Sequence, residues 1–191
     1  VAFTVCFAVW MVNGVLVTFL VGQGLYNWDP VQMGWLMGTP VLSGALMRLP
    51  AGIWADKYGG RIVFSILLLL ASGAVFMMSL ADSYIQFLLA SLGFGIAGSS
   101  FAVGIAYTSV WFPKKRQGLA LGIFGAGNAG AALTALGAPI LLGVLTAQGA
   151  NLDGWRTLPQ LYALVLLVIA VLFFLLTRHK VADHAQHRTT R

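Results

Sequence analysis

Arg48 is the residue whose type and place in the chain could do chemistry. Between Val31 and Ala55 it is the only charged side chain. A helix through that stretch would set it near the middle of a bilayer, where an arginine costs roughly 2.5–3.5 kcal/mol on insertion scales. Asp29, Asp56, Asp82 and Asp153 fall at the ends of apolar stretches, Asp183 lies near the C-terminus, and the chain has no Glu. No carboxylate of the chain is therefore available at that depth, and the simplest compensating group is an anion that comes and goes. A guanidinium stays protonated and offers a planar fork of donors. A planar oxyanion can take two parallel N–H bonds from that fork.

Two further residues fall at the same level. With a rise of 1.5 Å per residue, Arg48 lies roughly 12 Å from the end of its stretch at Asp56, Asn128 about 15 Å from Gly118, and Phe101 about 14 Å from Val110. Asn13 falls at a comparable height. A charge, an amide and a ring at one depth suit a small anion, and Gly125, Gly127 and Gly130 beside Asn128 would let the walls close tightly around it. Each part also has a plainer reading. Asn128 could make an interhelical hydrogen bond, worth about 0.6 kcal/mol on average, and glycines let membrane helices approach closely, as in Gly118-x-x-x-Gly122. Phe101 could be ordinary packing.

These residues have to be carried by membrane helices. The 191 residues are 59% hydrophobic and 8% charged, with a mean hydropathy of +0.88. Soluble domains carry about 25% charged residues, so the composition is that of a membrane protein. Six stretches are long enough to span as helices, over 1–22, 31–55, 62–80, 85–110, 118–146 and 158–177. They predict an all-α bundle over 1–177 and a polar, basic tail over 178–191. Cys6 stands alone inside the first stretch and reads as packing. The chain opens on Val1 with no basic flank and no cleavable leader, so it reads as a fragment or as lacking its native start.

The net charge of +6 does not point to nucleic acid, because of where the charges lie. Lys57, Arg61, Lys114, Lys115, Arg116, Arg178, Lys180, Arg188 and Arg191 follow even-numbered stretches, whereas the opposite loops hold Asp29, Asp82, Asp153 and only Arg156. That is the positive-inside pattern, with both termini cytoplasmic. The tail suits a lipid surface, and His179, His184 and His187 make a weak case for metal. No histidine or carboxylate accompanies Ser99 and Ser100 at their depth, and no glycine-rich loop follows a strand, so neither enzyme chemistry nor a cofactor is indicated. A channel would need a ring of charges or a carbonyl filter, and neither is visible.

The six stretches divide into two triplets, whose middle members are unusual. The second holds Pro40, Pro50 and Gly52 around Arg48, and the fifth is dense in glycine with Pro139. Breaks at corresponding places in two inverted repeats point to a transport site. The expectation is that both helices are interrupted.

Gly52-Ile-Trp-Ala-Asp56-Lys57-Tyr58-Gly59-Gly60-Arg61 resembles the cytoplasmic loop signature of the major facilitator superfamily, which joins helices two and three. The resemblance implies that Gly52, Asp56, Lys57, Gly59 and Arg61 serve gating, with Asp56 capping or pairing near helix ends and basic residues. The run from Pro40 to Gly52, and Trp111-Phe-Pro-Lys-Lys-Arg-Gln-Gly118 continuing through Gly125-Ala-Gly127-Asn128-Ala-Gly130, are similar to the nitrate/nitrite porter family. That likeness implies that Arg48 binds the anion, Phe101 stacks on its plane and Asn128 lies nearby. It also implies a second six-helix half with its own arginine, a homo-oligomer being the other way to complete the site, in the cell (inner) membrane. Asp56 and the second stretch lean toward proton-coupled import over exchange. A facilitator for an organic anion or drug, whose Arg48 pairs with a carboxylate of the other half, and a non-transporting fragment remain alternatives.

Overall fold

Backbone groups inside hydrocarbon find no water, so each spanning segment has to satisfy its own amides as a helix. The computed structural model describes residues 1–178, and the apolar stretches are helical throughout. The first three spans are α1 (Ala2–Gly22), α2 (Pro30–Tyr58) and α3 (Gly60–Ser79). The fourth is α4 (Tyr84–Gly98) followed by α5 (Ser100–Trp111). The fifth is α6 (Lys114–Gly125), a 3-10 turn over Ala126–Asn128, and α7 (Ala129–Leu145). The sixth is α8 (Thr157–Leu176), preceded by a 3-10 turn over Leu152–Arg156. No strand occurs among the described residues. The tail expected over 178–191, with its three histidines, lies outside the described residues apart from Arg178.

Five spans are long and apolar enough to cross a membrane: Ala2–Gly22, Gly60–Ser79, Tyr84–Trp111, Lys114–Leu145 and Leu152–Leu176. The 29-residue α2 is not in that set. Gln32, Thr39, Ser43 and Arg48, with three glycines and two prolines between positions 34 and 50, dilute its apolar content. Its ends are well specified. Asp29 and Gln32 form a reciprocal capping box with Pro30 in the first turn, the arrangement that satisfies orphan amides at a helix start. Gly59, at φ +88°, turns the chain into α3, a conformation glycine adopts without strain.

Helix pairing carries the repeat. The main packed pairs are the first span with the fifth, the second with the fourth, and the third with the sixth. Exchanging first for fourth, second for fifth and third for sixth returns the same pairs, as two three-helix repeats require. Both exchanged crossings depend on glycine. On one, Gly44 and Gly95 face each other, and a Cβ on Gly95 would overlap Ser43 Oγ and the Pro40 carbonyl. On the other, a Cβ on Gly130 would overlap the Thr4 carbonyl. The core between the helices is apolar, with Val9, Val12 and Leu16 of α1, Leu68 and Val75 of α3, Phe94 of α4 and Leu166 of α8 fully enclosed.

The third and sixth spans run antiparallel and are pinned at both ends. Arg61, in the first turn of α3, donates Nε to the Phe174 carbonyl (2.9 Å) near the end of α8 and lies over the Phe174 ring. Arg156, at the start of α8, donates to the carbonyls of Ser79 (2.8 Å) and Ala81 (3.2 Å) at the end of α3, and pairs with Asp82. A cation at a helix C-terminus satisfies orphan carbonyls and meets the favourable end of the dipole. Beside Arg156, burial pushes the Tyr26 phenol above its ordinary value of 10, with Arg156 itself pulling the other way.

The expectation that the second span is broken is not met. Helix α2 is continuous through Pro40 and Pro50, and the interruptions fall in the fourth and fifth spans. Proline removes one ladder bond and frees the carbonyl four residues earlier. For Pro40 that carbonyl belongs to Leu36, and Asn13 Nδ2 donates to it at 2.8 Å. The fourth span breaks instead at Ser99, whose N–H and Oγ both reach back to the Ile96 carbonyl, at 3.1 and 2.6 Å. Such a three-residue reach tightens the turn and ends the regular ladder.

Replacing Gly95 with valine is expected to destabilise the bundle by about 1–3 kcal/mol, as overpacking does in a close-packed site. Thermal unfolding of the purified protein checks it. An unchanged midpoint would mean that α2 and α4 are not held at this distance.

Candidate anion site

Arg48 lies eight residues beyond Pro40 on α2 and is exposed. Its Cζ stands 5.7 Å from the centre of the Phe101 ring, within the range of a cation–π contact. Among the described residues it has neither an ion pair nor a hydrogen bond, and the one salt bridge joins Arg156 to Asp82. The other aspartates sit toward helix ends: Asp29 caps α2, Asp56 is two residues from the end of the same helix, and Asp153 is in the turn before α8. The guanidinium is thus a fixed positive charge whose fork of donors faces no carboxylate among the described residues.

Phe101 is placed by the break in the fourth span, two residues after Ser99. Its ring leans on Phe3 (5.7 Å between centres) and Phe124 (6.1 Å), and those two stack on each other at 4.3 Å. Phe124 belongs to the last turn of α6, immediately before the 3-10 turn that holds Asn128. The aromatic cluster therefore links Arg48's neighbour to the interruption of the fifth span. Asn128 is exposed, and its side chain makes no hydrogen bond among the described residues.

The glycine-rich run has divided duties. A Cβ on Gly127 would meet Phe3 Cδ1 at 2.6 Å and Thr4 Oγ1 at 3.0 Å, so Gly127, like Gly130, seats the fifth span on α1. Gly125 faces open space. A cleft of about 460 Å³ shares Phe3 and Phe124 with this region but includes neither Arg48 nor Asn128. Its lining of Gly104, Tyr107, Phe173 and Leu176 is apolar and aromatic, which suits no small oxyanion.

The loop residues also separate. Asp56 and Lys57 are exposed, Asp56 makes no ion pair among the described residues, and Lys57 Nζ lies 5.1 Å over the Tyr58 ring. Gly52 has no close neighbour. Gly60 lies beneath Tyr107, whose hydroxyl donates to the Arg178 carbonyl at 3.0 Å. Arg61 is the basic member that is engaged, and its partner is a carbonyl rather than an acid. Sequence reasoning missed Tyr107, the stacked Phe3 and Phe124, and the role of Asn13. For Asn13 a signal was present, since a proline at position 40 marks Leu36 as a carbonyl in need of a donor.

The family described as Major Facilitator Superfamily matches residues 1–191. A "Probable nitrate/nitrite antiporter NarK1" of Thermus thermophilus is 44% identical over 178 residues, covering 91% of this chain and 40% of that protein. A "Nitrite extrusion protein" of Bacillus subtilis is 34% identical over 136 residues, 71% of this chain and 32% of that one. A "Probable nitrate transporter NarT" of Staphylococcus carnosus is 32% identical, covering 76% and 35% respectively. The chain thus spans about two fifths or less of the curated relatives it matches. Among solved structures, an inward-facing, occupied bacterial homologue of the human lysosomal transporter Spinster superposes with a TM-score of 0.76 at 21% identity, covering 98% of this chain and 45% of that one. That likeness speaks to fold alone.

Exchanging Arg61 for methionine removes its donors to Phe174 and is expected to cost about 1–3 kcal/mol. The unfolding midpoint of the purified protein should fall accordingly, and an unmoved midpoint would mean that the clamp between α3 and α8 contributes nothing.

Proposed function

The chain belongs to the Major Facilitator Superfamily, and we propose that it forms the N-terminal half of a nitrate/nitrite transporter, contributing Arg48 to the anion site. The observation that carries this reading is a guanidinium set over an aromatic ring, with neither an ion pair nor a hydrogen bond among the described residues. The names of the relatives support the choice of anion. A planar oxyanion would lie in the fork of Arg48 with its face toward Phe101, and Asn128 would offer an amide donor from the interrupted fifth span. Gly125, which faces open space, leaves the backbone approachable beside the anion, while Gly127 and Gly130 seat the fifth span on α1.

Transport then follows alternating access, with this bundle rocking against a second six-helix half across a site near the bilayer midplane. Exposed Leu46, Leu49 and Ile53 on α2 and Leu133, Leu136, Ile140 and Val144 on α7 offer apolar surface to that half or to lipid. Asp56 and Lys57, exposed and without an ion pair among the described residues, are the members of the loop motif available to grip the other half. The distribution of basic residues places both ends of the chain on the cytoplasmic side of the cell membrane.

The test is nitrate uptake into vesicles by the complete transporter. Arg48→Lys keeps the charge but loses the fork, and is expected to raise the KM for nitrate by about tenfold or more. Unchanged affinity would overturn the bidentate site, and stronger inhibition by organic anions than by nitrite would overturn the substrate.

A further inference from the structure

Asn13 is 2% exposed, the most enclosed side-chain amide among the described residues, and both ends of that amide are engaged. Nδ2 donates to the Leu36 carbonyl at 2.8 Å, and Oδ1 accepts from Ser91 Oγ at 2.9 Å. One side chain of α1 thus ties together α2 and α4. Its partner on α2 is the carbonyl left open by Pro40, which has no N–H to return. Ser43 Oγ, three residues past Pro40, donates to the Leu92 carbonyl at 2.9 Å and secures the same turn to α4.

From Pro40 to Arg48 the helix runs eight residues, about 12 Å. A lever of that length converts a change of about 5° in the bend at Pro40 into about 1 Å at the guanidinium. Binding constellations need placement to within about 0.5 Å. The direction of α2 below Pro40 therefore has to be fixed, and the Asn13 amide, 2% exposed and bonded at both ends, is built into the packing that fixes it. We infer that Asn13 is a positioning residue: by occupying the Leu36 carbonyl it sets the bend of α2 at Pro40, and so holds Arg48 against Phe101. This rests on the reading of Arg48 as the anion's partner.

A rescue experiment on the complete transporter tests it. Asn13→Leu leaves the Leu36 carbonyl without a donor and is expected to raise the KM for nitrate about tenfold while kcat changes by less than about threefold. Adding Pro40→Ala restores an N–H at position 40, which takes the Leu36 carbonyl within the helix, so KM should return to within about twofold of the unaltered protein. Should Asn13→Leu fail to fold alone, the double variant still decides: recovered folding and affinity support the inference, and persistent loss overturns it. A KM unmoved by Asn13→Leu overturns it as well. The alkylation rate of Arg48→Cys in a Cys6→Ala background reads the place of position 48 without any substrate. It should change at least about threefold with Asn13→Leu and revert with Pro40→Ala. Lack of nitrate uptake by the unaltered protein would refute the proposed substrate, while the alkylation series would still judge Asn13, an unchanged rate refuting its positioning role.

Discussion

A proline inside a membrane helix opens a carbonyl that bilayer water cannot reach, and the arrangement around Arg48 depends on how that carbonyl is closed. Pro40 frees Leu36, Asn13 fills the gap, and Ser91 completes the amide's partners. An unsatisfied group of this kind costs several kcal/mol in hydrocarbon. Helices α1, α2 and α4 are therefore joined at one point by a requirement stronger than apolar packing, which by itself does little to tell one membrane helix from another. Helix α2 is continuous through both of its prolines, so its charged residue stands on a long element that the neighbouring helices hold in place.

Much of this could be read in the residues. Six helices followed from hydropathy, because it is a sum over many positions. Arg48 drew notice because one charge in an apolar stretch is conspicuous however the helices pack. The level of Phe101 followed from counting rise, and the structure sets its ring 5.7 Å from the guanidinium. What stayed hidden depends on partners distant in sequence. Pro40, Pro50 and Gly52 look like a helix break when α2 is considered alone, whereas α2 runs through all three, with a donor from α1 on the carbonyl that Pro40 leaves open. Conversely, nothing at Ser99 announces a break, since a serine in a membrane helix usually bonds back without ending the ladder.

The glycine-rich stretch shows the same division. Gly125, Gly127 and Gly130 look alike in sequence, yet two of them are pressed against Phe3 and Thr4 of α1 while the first faces open space. Packing and ligand approach use the same residue type for the same reason, the absence of a Cβ, so spacing alone cannot separate them. The interruption at Ala126–Asn128 is what distinguishes this run from an ordinary helix crossing, and it leaves Asn128 exposed, its amide without a hydrogen bond among the described residues.

The arginines at opposite ends of the α3 and α8 pair are related by the repeat: each begins one helix and closes the carbonyls of the other. A cable anchored at both ends cannot slide, and sliding along their length is the easiest relative motion for two smooth apolar rods in lipid. Register between these helices is thereby held at both rims, and Ser72 of α3 adds one tie between them, donating to the Ala163 carbonyl of α8 at 2.8 Å. Tied at both rims, α3 and α8 form one stiff beam reaching from the loop after α2 to the opposite rim.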